Sequence, residues 1–254
     1  MTIRTYDEGQ GPPVLLVGPG LDDGTRTRKI AAILARRFRV QRLHRRQYRL
    51  DLGVACSVAD EAADVVVVAR AAGEPVVLYG HSSGAVVALE ALAAEPALFS
   101  RAVLFEPAAV IDRPWSGEDH QVITRARAAI AAGRPGRALA IFTREATGYP
   151  AWQAAVVGVL AASIPRYRRL VPAQINDLDA LDTLGNRLDV YARIDVPTVL
   201  LGGDRSPGRN TAVLDALERT IPHTERVVMR GRDHGADLKH PAEVAAVIEA
   251  TAGR

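Results

Sequence analysis

A single cysteine, Cys56, stands among 254 residues, so the chain can form no internal disulfide and no cysteine-based metal cluster. No stretch approaches the roughly twenty consecutive apolar residues that a membrane-crossing helix needs. The opening residues, Met1 to Gly9, are polar, without the basic segment followed by an apolar one that marks a secretory leader. These absences predict a soluble, cytoplasmic protein with no membrane partner. Internal repeats and low-complexity segments are also missing. Charge of one sign is nearly balanced by the other, 32 Lys and Arg against 29 Asp and Glu, for a net charge of +3. The arginines are densest at Arg36, Arg37, Arg39, Arg42, Arg45, Arg46 and Arg49. No nucleic-acid recognition motif accompanies that run, so a solvated arginine surface is expected there and no nucleic-acid partner.

What is present is a large apolar content, 48% of residues, in a chain long enough to bury a substantial core. Short apolar runs alternate with helical patterns. Val14 to Val17 reads as a buried strand ending at Gly18-Pro19-Gly20, followed by a helix over Thr25 to Arg37 and a strand over Phe38 to Leu43. Ser57 and Asp60 form a capping-box pattern for a helix reaching Ala72, with Gly73 as its stop. Strands follow at Val76, at Ala102 to Phe105, at Val196 to Leu201 and at Glu225 to Met229, with helices over Thr211 to Thr220 and from Pro241. Strands alternating with helices imply a mostly parallel sheet covered on both faces. The alternation fails between residues 113 and 193, where helical periodicity runs without a strand. A helical insertion is expected there, with Trp115 and Trp152 as candidates either to line a pocket or to pack its own helices.

One segment carries chemistry. Pro75-Val-Val-Leu-Tyr-Gly80-His81-Ser82-Ser83-Gly84 joins a strand to an alanine-rich helix through Gly-x-Ser-x-Gly. Gly80 and Gly84 lack the side chains that would keep strand and helix apart, and a strained turn lifts the Ser82 hydroxyl clear of the backbone. The bland alternative is a serine that merely caps a helix. A serine hydroxyl is a weak nucleophile at neutral pH, so a working site needs a general base, a carboxylate to orient it and amide donors for an oxyanion.

With Ser82 in that turn, and with Gly231-Arg-Asp-His234 followed by Pro241, the chain resembles the α/β-hydrolase fold superfamily from about Val14 to its end. The resemblance implies a mostly parallel sheet flanked by helices, formed by residues 1–112 and 194–254, with residues 113–193 as a helical lid. It implies His234 as the base, ahead of His44, His120 and His223 in surface-like contexts and His240 beside the last helix. For the acid it offers two positions. Asp204, in Leu200-Leu-Gly-Gly-Asp204, follows the penultimate strand and is preferred, although its spacing to Pro207 is one residue short. Glu106, directly after an earlier strand, is the second position, used by some lidded members of the family. Where members commonly carry His-Gly, this chain has Gly18-Pro19-Gly20, and Pro19 has no amide hydrogen. Backbone amides of Ser83 and of Gly20 or Leu21 are the expected oxyanion donors, with Leu21, His81, Trp115 and Trp152 toward a substrate pocket. A serine in the elbow disfavours the chemistry that the family runs through an aspartate. The implied activity is hydrolysis of a small ester, lactone or related acyl compound, with no cofactor and no metal. The alternatives are a cofactor-free lyase or cyclase on the same fold, and a non-catalytic binding protein.

Overall fold

The computed structural model describes residues 2–53 and 55–253. Seven strands form one sheet: β1 (Arg4–Glu8), β2 (Pro13–Val17), β3 (Arg39–His44), β4 (Val76–His81), β5 (Phe99–Phe105), β6 (Thr198–Gly203) and β7 (Thr224–Met229). Their spatial order is β1-β3-β2-β4-β5-β6-β7. β1 runs antiparallel to β3, and the remaining neighbours are parallel. β1 is an edge strand with a polar sequence, Arg-Thr-Tyr-Asp-Glu, and so carries none of the apolar pattern by which the inner strands are recognised.

The inner strands are buried on both faces. Along β4, Val76 and Leu78 join one apolar cluster while Val77 and Tyr79 join the other, the two-residue period of a strand. The first cluster lies under α2 (Val58–Ala71), α3 (Ser83–Ala94) and α9 (Gly208–Thr220), and the second under α1 (Arg28–Leu34) and α11 (Pro241–Ala252). Ser57 caps α2 through the reciprocal bonds with Asp60 that the sequence predicts.

Between β5 and β6 come α4 (Gln121–Ala131), α5 (Pro135–Ile141), a π-helical turn (Phe142–Ala146), α6 (Ala151–Ser163), α7 (Pro165–Leu184) and α8 (Leu188–Tyr191). Among the described residues this segment holds no strand, only an isolated bridge between Val110 and Asn186. A short α10 (Ala236–Lys239) precedes α11. Among the described residues no helix is long and apolar enough to cross a membrane.

The arginine run is a correction to the sequence reading. Arg42, Arg45 and Arg49 are buried. Arg42 pairs with Glu8, Arg46 with Asp64 and Arg49 with Asp51, while Arg45 enters the interior. A buried guanidinium needs a carboxylate partner, and here each of these finds one. His44, expected at the surface, is also buried beside the Tyr48 carbonyl, and burial lowers its pKa.

Candidate active site

Ser82 ends β4 with φ 56° and ψ −122°, a left-handed backbone that costs a non-glycine residue energy. The sheet ladder continues through the turn, with the Ser82 amide donating to the Phe105 carbonyl at 2.9 Å. The two glycines of the motif are sterically required. A Cβ at Gly84 would strike the Gly18 carbonyl, and one at Gly80 would lie 2.7 Å from the Ala85 Cα. Helix α3 therefore crosses hard against β2 and β4, with its N-terminal amides beginning at Ser83. Ser82 is also among the residues lining a cavity of about 530 Å³.

His234 lies in the loop after β7 and lines the same cavity. Its Nδ1 is 2.6 Å from Glu106 Oε2. The carboxylate accepts at every position: Oε1 from the Gly203 amide at 2.8 Å and the Ser206 hydroxyl at 2.6 Å, and Oε2 from Asn210 Nδ2 at 2.7 Å. Burial opposes ionisation of Glu106, but the His234 hydrogen bond and charge, with the Gly203 and Ser206 donors, outweigh it and bring the pKa down to about 2. An ionised Glu106 can only accept, so the Nδ1 of a neutral His234 carries its proton and Nε2 remains basic.

The structure brings Glu106, and not the preferred Asp204, to His234. Asp204 is exposed, and its Oδ1 accepts from the Gly231 amide at 2.7 Å, bracing the loop that leads to His234. Strand order alone does not select Glu106, since β6, which Asp204 follows, lies beside β7, which His234 follows. The side chains decide it: Asp204 is held on the Gly231 amide, whereas the Gly203, Ser206 and Asn210 donors hold Glu106 against Nδ1. Glu106 itself has φ 41°, a backbone state that no sequence pattern revealed.

His81 is a second correction. It does not line the cavity; its ring is fully buried, stacked on Phe105 at 4.4 Å and tilted against His234 at 4.7 Å between centroids. Burial, with His234 and Arg26 adding to it, outweighs Asp237 and lowers its pKa to about 4. The ring that packs against His234 is therefore neutral near pH 7. Asp237 is committed to Arg26 through Nε at 2.5 Å and Nη2 at 2.9 Å.

Gly20 and Leu21 line the cavity opposite Ser83, and Leu21 has φ 57°. Of the five non-glycine residues with positive φ among those described, Leu21, Ser82 and Glu106 all border this cavity. Strain concentrated in this way is characteristic of functional sites. Trp115 is buried, donates Nε1–H to the Ala109 carbonyl at 3.3 Å and lines the cavity, whereas Trp152 lines it while remaining 68% exposed. The far wall comes from the segment between β5 and β6, including Phe142, Val156, Gln174 and Leu178.

Two groups escaped the sequence reading. Asn210, which donates to Glu106 and lies 3.2 Å from His234 Nδ1, had a visible signal, since it is the polar member of the buried face formed with Val213, Leu214 and Leu217 on α9. The other is Arg45, buried between Glu61 and Asp177 with Nη2 at 2.5 and 2.7 Å from their oxygens. Asp177 also accepts from Ser83 Oγ at 2.6 Å and Tyr48 OH at 2.7 Å. This network fastens α7 to the elbow residue Ser83, and only tertiary contact brings its members together. Gln174, one turn earlier on α7, presses so closely on Gly20 that a Cβ there would collide with its amide oxygen.

The alpha/beta hydrolase family model matches residues 9–247, and the chain belongs to this family. Among solved structures it is similar to an alpha/beta hydrolase from Sphaerobacter thermophilus DSM 20745, at 27% identity and a TM-score of 0.78, covering 97% of this chain and 95% of that one. A putative non-heme bromoperoxidase, BpoC, from Mycobacterium tuberculosis H37Rv aligns at 17% identity and a TM-score of 0.76 over 100% and 96% of the two chains. A thermophilic esterase from Thermogutta terrifontis aligns at 22% and 0.67 over 98% and 92%. No curated protein sequence matches the chain.

Proposed function

We propose that this protein is a serine hydrolase for an ester, lactone or related acyl compound, with Ser82 as nucleophile, His234 as general base and Glu106 as the acid that orients it. The observation that carries the reading is the 2.6 Å contact between His234 Nδ1 and a fully coordinated Glu106 carboxylate, in the cavity that Ser82 borders. Ser82 attacks the acyl carbon as His234 takes its proton. The same proton passes to the leaving group, and His234 then activates water to release the acid. Amides of Ser83 and Gly20 hold the oxyanion, the first favoured by the positive end of α3. The segment of residues 113–193 acts as a lid whose apolar wall of Trp115, Phe142, Val156 and Leu178 receives an apolar acyl chain.

Turnover of short- and medium-chain p-nitrophenyl esters, with a fluorophosphonate label mapped by mass spectrometry, tests this reading. Labelling of Ser82 together with ester cleavage supports it. A second reading, a lyase or cyclase that moves protons through Ser82 and His234, is favoured by Pro19, which removes one amide from the turn facing the elbow. A Ser82 that resists the fluorophosphonate, with no cleavage of any ester, would favour that alternative.

A further inference from the structure

Nine large apolar side chains are conspicuously exposed among the described residues, and five of them, Trp152, Val156, Val159, Leu160 and Ile164, belong to α6 and the residue that follows it. Positions 152, 156, 159 and 160 repeat at helical spacing and share one face, on a helix roughly 20 Å long. The opposite face is committed to the fold. Ala154, Gly158 and Ala161 are buried, and a Cβ on Gly158 or Gly136 would come within 2.6 Å of the other residue's carbonyl oxygen. So α6 is pinned against α5 through small residues, which fixes the apolar row outward.

The free charges around this row are basic. Glu145, which precedes it, is paired with Arg125; from Ala146 to Pro165 the chain has no charged residue, and then come Arg166, Arg168 and Arg169 in the opening turns of α7. The positive end of a helix disfavours cations, and no acidic residue occupies that first turn to offset them. Arg166 reaches Asp23 and Thr25. Arg168 and Arg169, like Arg144 just before α6, are exposed, and no side-chain hydrogen bond or ion pair engages them among the described residues. Trp152 and Val156 are both exposed on the row and part of the cavity wall, so the apolar surface runs without interruption into the cavity beside Ser82.

We propose that the α6 face, with Arg168 and Arg169 at its edge, docks on a lipid surface bearing anionic headgroups. The apolar row enters the boundary between headgroups and acyl chains, and the arginines meet the headgroup charge. This is adsorption by a folded face and involves no spanning helix. A second copy of the chain fits less well, because α6 brings no acidic group to complement those arginines. Docking in this orientation opens the cavity mouth toward the lipid, so an apolar substrate passes from the bilayer to Ser82 along Trp152 and Val156.

The inference concerns binding and does not depend on the chemistry that Ser82 performs, so it is tested on the full-length protein carrying Ser82→Ala. The chain has two tryptophans, of which Trp115 is buried and Trp152 exposed, so a change in tryptophan emission reports on α6. Added vesicles of phosphatidylcholine and phosphatidylglycerol should sediment the protein and shift its emission to the blue. Vesicles of phosphatidylcholine alone should bind about tenfold more weakly or worse, since each arginine at an anionic surface is worth roughly fivefold. The pair Arg168→Glu and Arg169→Glu should remove that preference. Val159→Ser with Leu160→Ser, which alters only exposed positions, should abolish sedimentation while leaving circular dichroism and thermal unfolding unchanged. The proposal is overturned if the protein ignores both kinds of vesicle or binds both equally. It is also overturned if the serine pair instead breaks a concentration-dependent dimer seen by analytical ultracentrifugation.

Discussion

The floor and the roof of the cavity are built by different physical rules. Beneath Ser82, every position is overdetermined: two glycines with no room for a Cβ, three residues held at positive φ, and a carboxylate with four donors. Above it, the segment between β5 and β6 offers mostly apolar walls, meets the core at one buried charged network, and leaves a helix face open to solvent. Rigid placement suits groups that must hold a proton and a nucleophile within tenths of an ångström. An apolar wall with few directional bonds suits the proposed lid, which would admit an acyl chain and move.

The sharpest way to break this comparison is at the floor. Ser82→Ala should lower the ester-cleavage rate by about four to six orders of magnitude, with an unchanged melting temperature. A variant that keeps near-wild-type turnover would remove the nucleophile from its proposed role.

Next in size are the two carboxylates. Glu106→Gln should cost about 10³ to 10⁴ in kcat, because the amide no longer holds the His234 tautomer, while Asp204→Asn should cost less than about tenfold. The opposite ranking would return the acid to the loop after β6. The same variant has a stability signature. Glu106 has its pKa lowered to about 2 in the folded state, so its contribution is fully present above the ordinary carboxylate range and fades as pH falls toward that value. Urea unfolding between about pH 5 and pH 2 should therefore lose stability less steeply in Glu106→Gln than in the wild type.

At the junction of floor and roof, Asp177→Ala leaves Arg45 with Glu61 as its one carboxylate, beside the Ser83 hydroxyl, and strips Ser83 and Tyr48 of an acceptor. Breaking a buried pair of this kind typically destabilises by about 3–5 kcal/mol, to be read from the urea midpoint. A loss below about 1 kcal/mol would mean that apolar packing, and not this network, anchors α7. The smallest expected effect lies within the roof. Gly158→Ala pushes a methyl toward the Gly136 carbonyl and should cost about 1–3 kcal/mol. It should also speed proteolysis around α6 while leaving the β core protected, as read by limited digestion and mass spectrometry. Uniform protection would show that floor and roof unfold as one unit.

Much of the floor was legible in the chain. The elbow could be read because Gly80, Ser82 and Gly84 are local requirements of one turn between a strand and a helix, and local requirements leave local patterns. The capping box of Ser57 and Asp60, the alternation of elements and the strandless stretch after β5 were visible for the same reason. β1 was missed because an edge strand has no apolar face to advertise. The sequence favours Asp204 because its loop resembles the one that carries the family's usual aspartate, yet both carboxylates follow apolar strands and both end near the sheet's carboxyl edge. Nothing in either segment states which of them distant donors turn toward His234. His81, in the variable position of the elbow motif, is expected toward the pocket, whereas Phe105 and His234 close over it in space.

By itself the sequence determined the fold class and marked Ser82 and His234 as candidates for a nucleophile and a base, since these rest on periodicity and on residues within a few places of one another. Tertiary structure decided which carboxylate meets His234, because that depends on the backbone state of Glu106 and on the distant donors, Gly203, Ser206 and Asn210, that hold it in place. It also gave Arg42, Arg45, Arg46 and Arg49 of the arginine run carboxylate partners, one of them deep inside, while Arg36 and Arg37 stay exposed. A charge states only that it needs a partner, and whether water or a carboxylate supplies it depends on which distant residues the fold brings within about 3 Å.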